Sequence, residues 1–295
     1  MTSAVTDARP APRSYKRNLL INRLSRAPWW LLMAFALIFL FAQSVSGDIT
    51  YQRVFEQVRQ GIWTTIWVTV VAYSIALVAG LIIAILRRSR NPVVYQLVTL
   101  YVEVVRGIPT LVLVYYVVLA VTPEAVRLIA ELSGNLSANG VLTAITGPLS
   151  ELRARDIDNA ARAIIGLSIS YSAFLSEVFR AGIESIDHGQ LEAGASLGLT
   201  RWQTMRLIVL PQALRAVTPP LANDFIAMLK ESSLVSIVGV QDITRQGSTF
   251  ASANFRFFES YNVVALTYLV LTLSLSMAVK GVETWVDRGK KRNPS

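Results

Sequence analysis

An all-α membrane protein of about six transmembrane helices is predicted by three features of this chain. Of its 295 residues, 53% are hydrophobic and only 16% charged, where a soluble domain carries about 25% charged residues. Apolar runs of membrane length recur along it. The lysines and arginines that give the net charge of +9 stand at the ends of those runs, the placement that membrane topology demands and nucleic-acid binding does not.

The elements follow in order. Residues 1–27 form a basic head with Arg9, Arg13, Lys16, Arg17, Arg23 and Arg26. An apolar run at 29–45 is near the lower length limit for a span. A basic head before an apolar run also suits a signal peptide, but no Ala-x-Ala site follows, and an uncleaved span is expected. The run 62–86 ends at Arg87, Arg88 and Arg90, and Pro92 breaks the chain. The next span is expected over 93–121, interrupted around Glu103, Arg106 and Pro109. The stretch 122–159 is polar and net acidic. Spans at 160–179, 212–240 and 261–282 complete the six, and 284–295 is a basic tail.

Orientation follows from the basic residues. Six spans put both termini, the 87–90 turn and the loop carrying Arg201, Arg206 and Arg215 on one side, the cytoplasmic one. The 122–159 segment is then external. The absence of cysteine excludes disulfides, iron–sulfur clusters and thiol catalysis. The single histidine, His188, excludes a multi-histidine metal site and reads as a solvated turn residue. The chain holds no Gly-x-x-x-x-Gly-Lys-Ser/Thr and no His-Glu-x-x-His, so it is expected neither to hydrolyse ATP nor to be an enzyme. Tryptophans such as Trp29, Trp63, Trp67 and Trp285 lie near span ends, as in an aromatic belt.

The loop 184–211 is the most informative stretch. Thr200 and Gln203 have capping-box spacing, so a short helix is predicted from Arg201. Pro211 marks its end or a kink. Gly189, Gly194 and Gly198 allow tight turns or close backbone approach. Two short helices at an angle make a compact knob, with Leu197, Leu199 and Trp202 available to a partner's groove. From the residues alone, a capped connector without a partner fits as well.

Ionisable residues within spans usually face a bundle interior or an aqueous cavity. Glu103 and Arg106 share a helix face, as do Glu177, Arg180 and Glu184. Ser168, Ser172, Ser176 and Arg180 make a polar stripe at four-residue intervals, which suits either close helix packing or a wetted substrate path. Asn223, Ala227 and Lys230 fall on one helix face, Asp224, Met228 and Glu231 on another. With Ser232, Ser233 and Ser236 nearby, that helix offers acceptors for an ammonium and donors for a carboxylate. An ion pair anchoring the helix end fits equally.

Glu192, Ala193, Ala195 and Gly198, then nine residues, then Ile208, Leu210 and Pro211, resemble the ATPase-docking motif of type I ABC importer permeases. Gly194 stands where alanine is usual. Three further motifs resemble the polar amino acid permeases of that class. Glu103-x-x-Arg106-Gly107-x-Pro109 is similar to the start of their second core helix. Phe174-Leu175-Ser176-Glu177-x-x-Arg180 is similar to their third, and Lys230-x-Ser232-Ser233-Leu234 to their fourth. The resemblance covers 61–282; Leu113 and Phe174 depart from it, standing for glutamine and tyrosine.

The resemblance implies a five-helix importer core over 61–283, with an added N-terminal helix and external loop at 28–60. It implies coupling through Glu192, Ala193, Ala195, Gly198, Ile208 and Pro211. The candidate substrate path is Ser168, Ser172, Asp224, Lys230 and Ser233; Glu103, Arg106, Glu177 and Arg180 are candidate structural ion pairs, with Glu177 and Arg180 bracing the loop. ATP and Mg belong to a partner ATPase, and this chain carries no cofactor or metal. The other partners are an extracytoplasmic solute-binding protein, a second permease (the same chain or a sister) and membrane lipid. An importer of another solute, such as an opine, osmolyte or methionine, shares the loop. A stand-alone secondary transporter fits less well, because no internal repeat is visible.

Overall fold

A computed structural model describes residues 36, 38–40, 42, 43, 45, 47–138 and 143–291. The chain divides into two units, Met1–Asp48 and Ile49–Ser295. The expectations for the basic head 1–27 and most of the 29–45 run lie outside the described residues. In the second unit every regular element among the described residues is helical.

The first helix, α1, runs Ile49–Leu86. Val54, Val58, Gly61, Thr65, Val68, Ala72, Ala76, Gly80 and Ala84 are buried at three- and four-residue spacing along one face. Small side chains there let neighbours approach closely. A Cβ on Gly80 would stand 3.0 Å from Leu175 Cβ. The following turn is closed by Asn91, which accepts from the Val93 amide at 2.9 Å, with Pro92 in the first helical turn of α2 (Pro92–Gly107).

The single span expected over 93–121 is two helices. Ile108 and Pro109 are extended, because the proline ring disfavours helix in the preceding residue and Pro109 has no N–H to donate. With 16 residues, α2 is about 24 Å long, short of the ~30 Å hydrocarbon core. α3 (Thr110–Tyr116) then passes through a π-turn at Val117–Val121 into α4 (Thr122–Ala138). The Thr122 hydroxyl donates to the Val117 carbonyl at 2.7 Å and closes that wider turn. The apolar span is therefore Thr110–Ser137. Much of the polar 122–159 stretch is helical, with Arg127 bridging Glu124 and Glu131 on α4, and a short α5 at Thr143–Ser150.

α6 (Asn159–Glu184) is capped by Asp158, which accepts from the Ala160 amide, and is the most buried long helix. α7 (His188–Ser196) and α8 (Arg201–Thr204) form the loop described below. α9 (Leu210–Glu231) holds Pro219 and Pro220 within its length. A 3-10 segment at Ser232–Val238 follows it and stops at Gly239, whose φ is 90°. α10 (Ile243–Asn254) lies against α1, where a Cβ on Gly61 would meet the Asp242 carbonyl carbon at 2.4 Å. α11 (Phe257–Lys291) closes the unit.

Four described helices are long and apolar enough to cross a bilayer: Ile49–Leu86, Thr110–Ser137, Asn159–Glu184 and Phe257–Gly281. The span expected over 212–240 is not among them; Arg215, Asp224, Lys230 and Glu231 make α9 too polar by composition. It nevertheless packs into the bundle. A core of Val68, Ala72, Leu167, Leu175, Met228 and Val235 joins α1, α6, α9 and the 3-10 segment. Gly182 lies against Val217.

Candidate functional site: the loop at the end of α6 and the polar cluster beside α9

Asp187 starts α7 by accepting from the Gly189 amide at 2.8 Å. The helix stops at Gly198, whose φ of 73° suits glycine alone without strain. The Leu199 amide donates to the Gly194 carbonyl at 3.1 Å and the Gly198 amide to Ala195 at 2.9 Å. This pair of bonds is a Schellman stop. Two residues on, Thr200 and Gln203 form the expected capping box: Gln203 N–H donates to Thr200 Oγ1 at 3.3 Å and Thr200 N–H to Gln203 Oε1 at 2.8 Å.

The two short helices meet at Gly194, where a Cβ would stand 3.1 Å from Ile208 Cδ1 and from Thr204. Glycine at the position where alanine is usual thus lets the knob close more tightly. Gly194, Thr204 and Val209 face inward and Ile208 is half-buried. Glu192, Ala193, Ala195, Gly198 and Pro211 are exposed. Leu197 (78% exposed), Trp202 (70%) and Leu207 (62%) crown the outer surface, while Leu199 is half-buried. Pro211 does not end the helix. A π-turn at Met205–Val209 leads from α8 into α9, and Pro211 falls in the first turn of α9.

Beside this loop, Arg180 bonds Glu177 at 2.7 Å and Glu184 at 2.6 Å, as the spacing predicts. The expected Glu103–Arg106 pair is not formed. Arg106 turns instead toward α6, with its guanidinium 3.7 Å from Glu177 and 5.8 Å from the centre of the Phe174 ring. Glu103 remains exposed. Glu177 also takes Arg87 from the end of α1, a contact ninety residues distant in sequence that no local spacing announces.

Ser168 and Ser172 of the serine stripe bond neighbouring groups and also line a cavity with Tyr101, Ile165 and Ile169. Ser168 Oγ donates to Ile164 O at 2.7 Å and to Ala72 O of α1 at 3.1 Å. Ser172 Oγ donates to Ile169 O at 2.8 Å and meets the Tyr101 hydroxyl of α2 at 2.7 Å. Both serines are buried. The α9 faces divide as expected: Met228 is fully buried and Asp224 and Glu231 are half-buried, whereas Asn223 and Lys230 are exposed. Ser233 is half-buried on the 3-10 segment. Tyr73 of α1 and Tyr171 of α6 are buried in the core that Met228 of α9 joins. The Tyr73 hydroxyl donates to Leu221 O at 2.5 Å, and its ring meets Phe225 edge-on at 5.1 Å. The two tyrosines thus share a core with the α9 face that also carries the half-buried Asp224 and Glu231, whereas Lys230 is exposed.

A third polar group, Asp242, escapes sequence reasoning. It is fully buried at the start of α10, where it accepts from the Arg245 amide at 2.8 Å and the Tyr268 hydroxyl at 3.2 Å. Burial pushes its carboxyl up to about 6, against the opposing effect of these bonds. Its only sequence signal is a cap-type residue before a helix.

Residues 76–292 match the family described as binding-protein-dependent transport system inner membrane component. The chain belongs to that family, whose members are integral permease subunits of ABC importers and not themselves catalysts. A probable amino-acid permease protein, YxeN of Bacillus subtilis (strain 168), is 38% identical over 76% of this chain and 88% of its own length. The glutamine transport system permease protein GlnP of Escherichia coli (strain K12) is 33% identical over 76% of this chain and 90% of its own. The crystal structure of an amino acid ABC transporter with histidines has a chain similar in fold, with a TM-score of 0.63, 32% identity, and coverage of 80% of this chain and 95% of that one.

Proposed function

We propose that this chain is the transmembrane permease of an ATP-driven importer of polar amino acids, and that a separate ATPase drives it through the loop 184–211. The observation that carries the reading is the loop itself. It is a knob capped at both helix starts, with Leu197, Trp202 and Leu207 exposed, at the end of helices of membrane length. An exposed apolar crown on a rigid base is what a partner surface requires. Glu192, Ala193, Ala195 and Gly198 lie on that crown, while Ile208 and Pro211 tie it to α9. ATP and Mg are held by the ATPase. A solute-binding protein delivers substrate on the other side, and two permeases, identical or sister chains, enclose the path. The loop and both termini face the cytoplasm, in keeping with the arginines at 87–90 and in the loop.

The names of the relatives support amino acids as the substrate class. The half-buried Asp224 and Glu231 would take the ammonium group, and Lys230 and Ser233 lie toward the C-terminal end of α9 for the carboxylate. Ser168 and Ser172, which line a cavity beside Tyr101 of α2, belong to the wall of the path. The domain plan is a core over 61–283, with 28–60 as an addition before it and 122–159 as an insertion whose first part, to Ser137, continues the apolar span that starts at Thr110.

The test is uptake of a panel of labelled amino acids into proteoliposomes holding this chain, its co-purifying ATPase and its binding protein, with and without internal ATP. ATP-dependent uptake of a polar amino acid is expected. Uptake of some other solute alone would move the chain to a sister importer, and absence of any ATPase partner would overturn the reading.

A further inference from the structure

Three arginines converge on the Glu177 carboxylate from three helices: Arg87 from the end of α1, Arg106 from the end of α2, and Arg180 from α6 itself. The Glu177 side chain keeps 17% of its exposure and Arg87 11%, so both charges are largely withdrawn from water. Arg127 with Glu124 and Glu131, and Arg256 with Glu259, by contrast join residues three or four apart. The Glu177 cluster is also oversupplied with donors: Arg87 Nε is buried with no hydrogen-bond partner. Charges withdrawn to this degree are costly unless their geometry is fixed by the surrounding fold.

Glu177 stands where movement of the loop would enter the bundle. α6 continues to Glu184, which Arg180 also holds, and α7 starts after three more residues. Gly182 fixes the same stretch against Val217 of α9. α2 is tied less broadly. Tyr101 reaches Ile169 and Ser172, and Val102 and Val105 pack with Ala173. Beyond Gly107 the Ile108–Pro109 break releases the helix. At that free end Arg106, on Glu177 and over Phe174, is the polar tie.

We propose that Glu177 is a positioning residue for coupling: it passes displacement of the loop from α6 to the ends of α2 and α1 through Arg106 and Arg87. This rests on the reading of 184–211 as the docking loop. The test uses the complete complex in proteoliposomes and measures solute moved per ATP hydrolysed for wild type, Arg106→Gln, Arg106→Lys, Glu177→Gln and Arg88→Gln. Arg88 is an exposed arginine of the neighbouring turn, so its variant controls for loss of charge.

Arg106→Gln is expected to lower the ratio by about tenfold, within the usual range of coupling between sites. Arg88→Gln should leave it unchanged, and Arg106→Lys should restore part of it. Glu177→Gln should act in the same direction. If it fails to assemble, Arg106→Gln decides, because the Arg106 side chain is 41% exposed and its loss is tolerable. A merely structural role would lower complex yield, ATPase and uptake together with the ratio constant, and that result overturns the proposal. A wild-type complex with bound ATPase but no ATP-driven uptake would overturn the proposed function, and this inference with it. Normal wild-type coupling with an unchanged Arg106→Gln ratio would overturn this inference alone.

Discussion

Asp242 shows how one residue carries a cost that its fold must offset. Its carboxyl is buried where water would otherwise hydrate the charge, and three elements meet around it: α10 through the Arg245 amide, α11 through Tyr268, and α1 through Gly61. Because the folded value lies near 6 and the unfolded one at 3.8, the folded state holds the proton more tightly. Stability from this group is fully present below about pH 4 and is lost as pH rises through 6, by about 3 kcal/mol in all. Asp242→Asn keeps a capping side chain and removes the titration. The expected result is that detergent-solubilised wild type loses thermal stability relative to Asp242→Asn between pH 4 and 6.5. Parallel curves would show that the carboxylate ionises there without penalty. The same scale shows what a sequence conveys. Thr200 with Gln203, and Glu177 with Arg180 and Glu184, are legible because helix geometry fixes contacts at three and four residues. Arg87 with Glu177, and Ser168 with Ala72, are not, because helix crossings bring them together. Arg106 misleads for the same reason: its local partner Glu103 was in reach, but the end of α2 points it at another helix.

At the scale of elements, stops and breaks decide the architecture. Proline alone does not predict the outcome. Pro109 separates α2 from α3, whereas Pro148, Pro211, Pro219 and Pro220 lie inside helices. The first sits where the preceding residue is extended, whereas Pro211 falls just after the π-turn at Met205–Val209 within an uninterrupted helical run. The sequence marks the interruption at Pro109 but not that it separates two helices, since hydropathy cannot tell a helix from two half-helices. Gly198 is the clearest stop. Nothing stands within 4 Å of a Cβ there, so substitution meets backbone strain only. Gly198→Ala should destabilise the α7 end by roughly 1–2 kcal/mol. Hydrogen exchange of the 194–200 amides should accelerate by about tenfold or more while exchange in α6 stays as it was. Unchanged exchange would mean that the turn relaxes to negative φ at no cost.

The unit Ile49–Ser295 is a helical bundle with small-residue contacts that carries the exposed apolar loop 184–211. Its fold class and the position of the loop were legible from hydropathy and motif order. The number of helices that pass as spans was not, because the polar side chains of α9 hide a helix that the bundle packs. The knob's surface is built from residues that contribute little to the permease itself, so their loss should be felt by the partner alone. Trp202→Ala and Glu192→Lys should leave the melting temperature of the isolated permease within about 2 °C, as surface changes do. Trp202→Ala should weaken ATPase binding by about thirtyfold, the order of an interfacial tryptophan hot spot. Co-purification and titration of the ATPase measure both; binding as tight as wild type would place the contact elsewhere.

The π-turn at Met205–Val209 inserts one residue into the helical count between α8 and α9. One residue is about 100° of rotation. Trp202 therefore points about a quarter-turn away from the direction that an unbroken α-helix would give it relative to Val217 and Met228. The azimuth of the knob is set by that single extra residue, independently of the register that seats α9 against α6. A length change of one residue at this place would reorient the docking face without altering the chemistry of either helix.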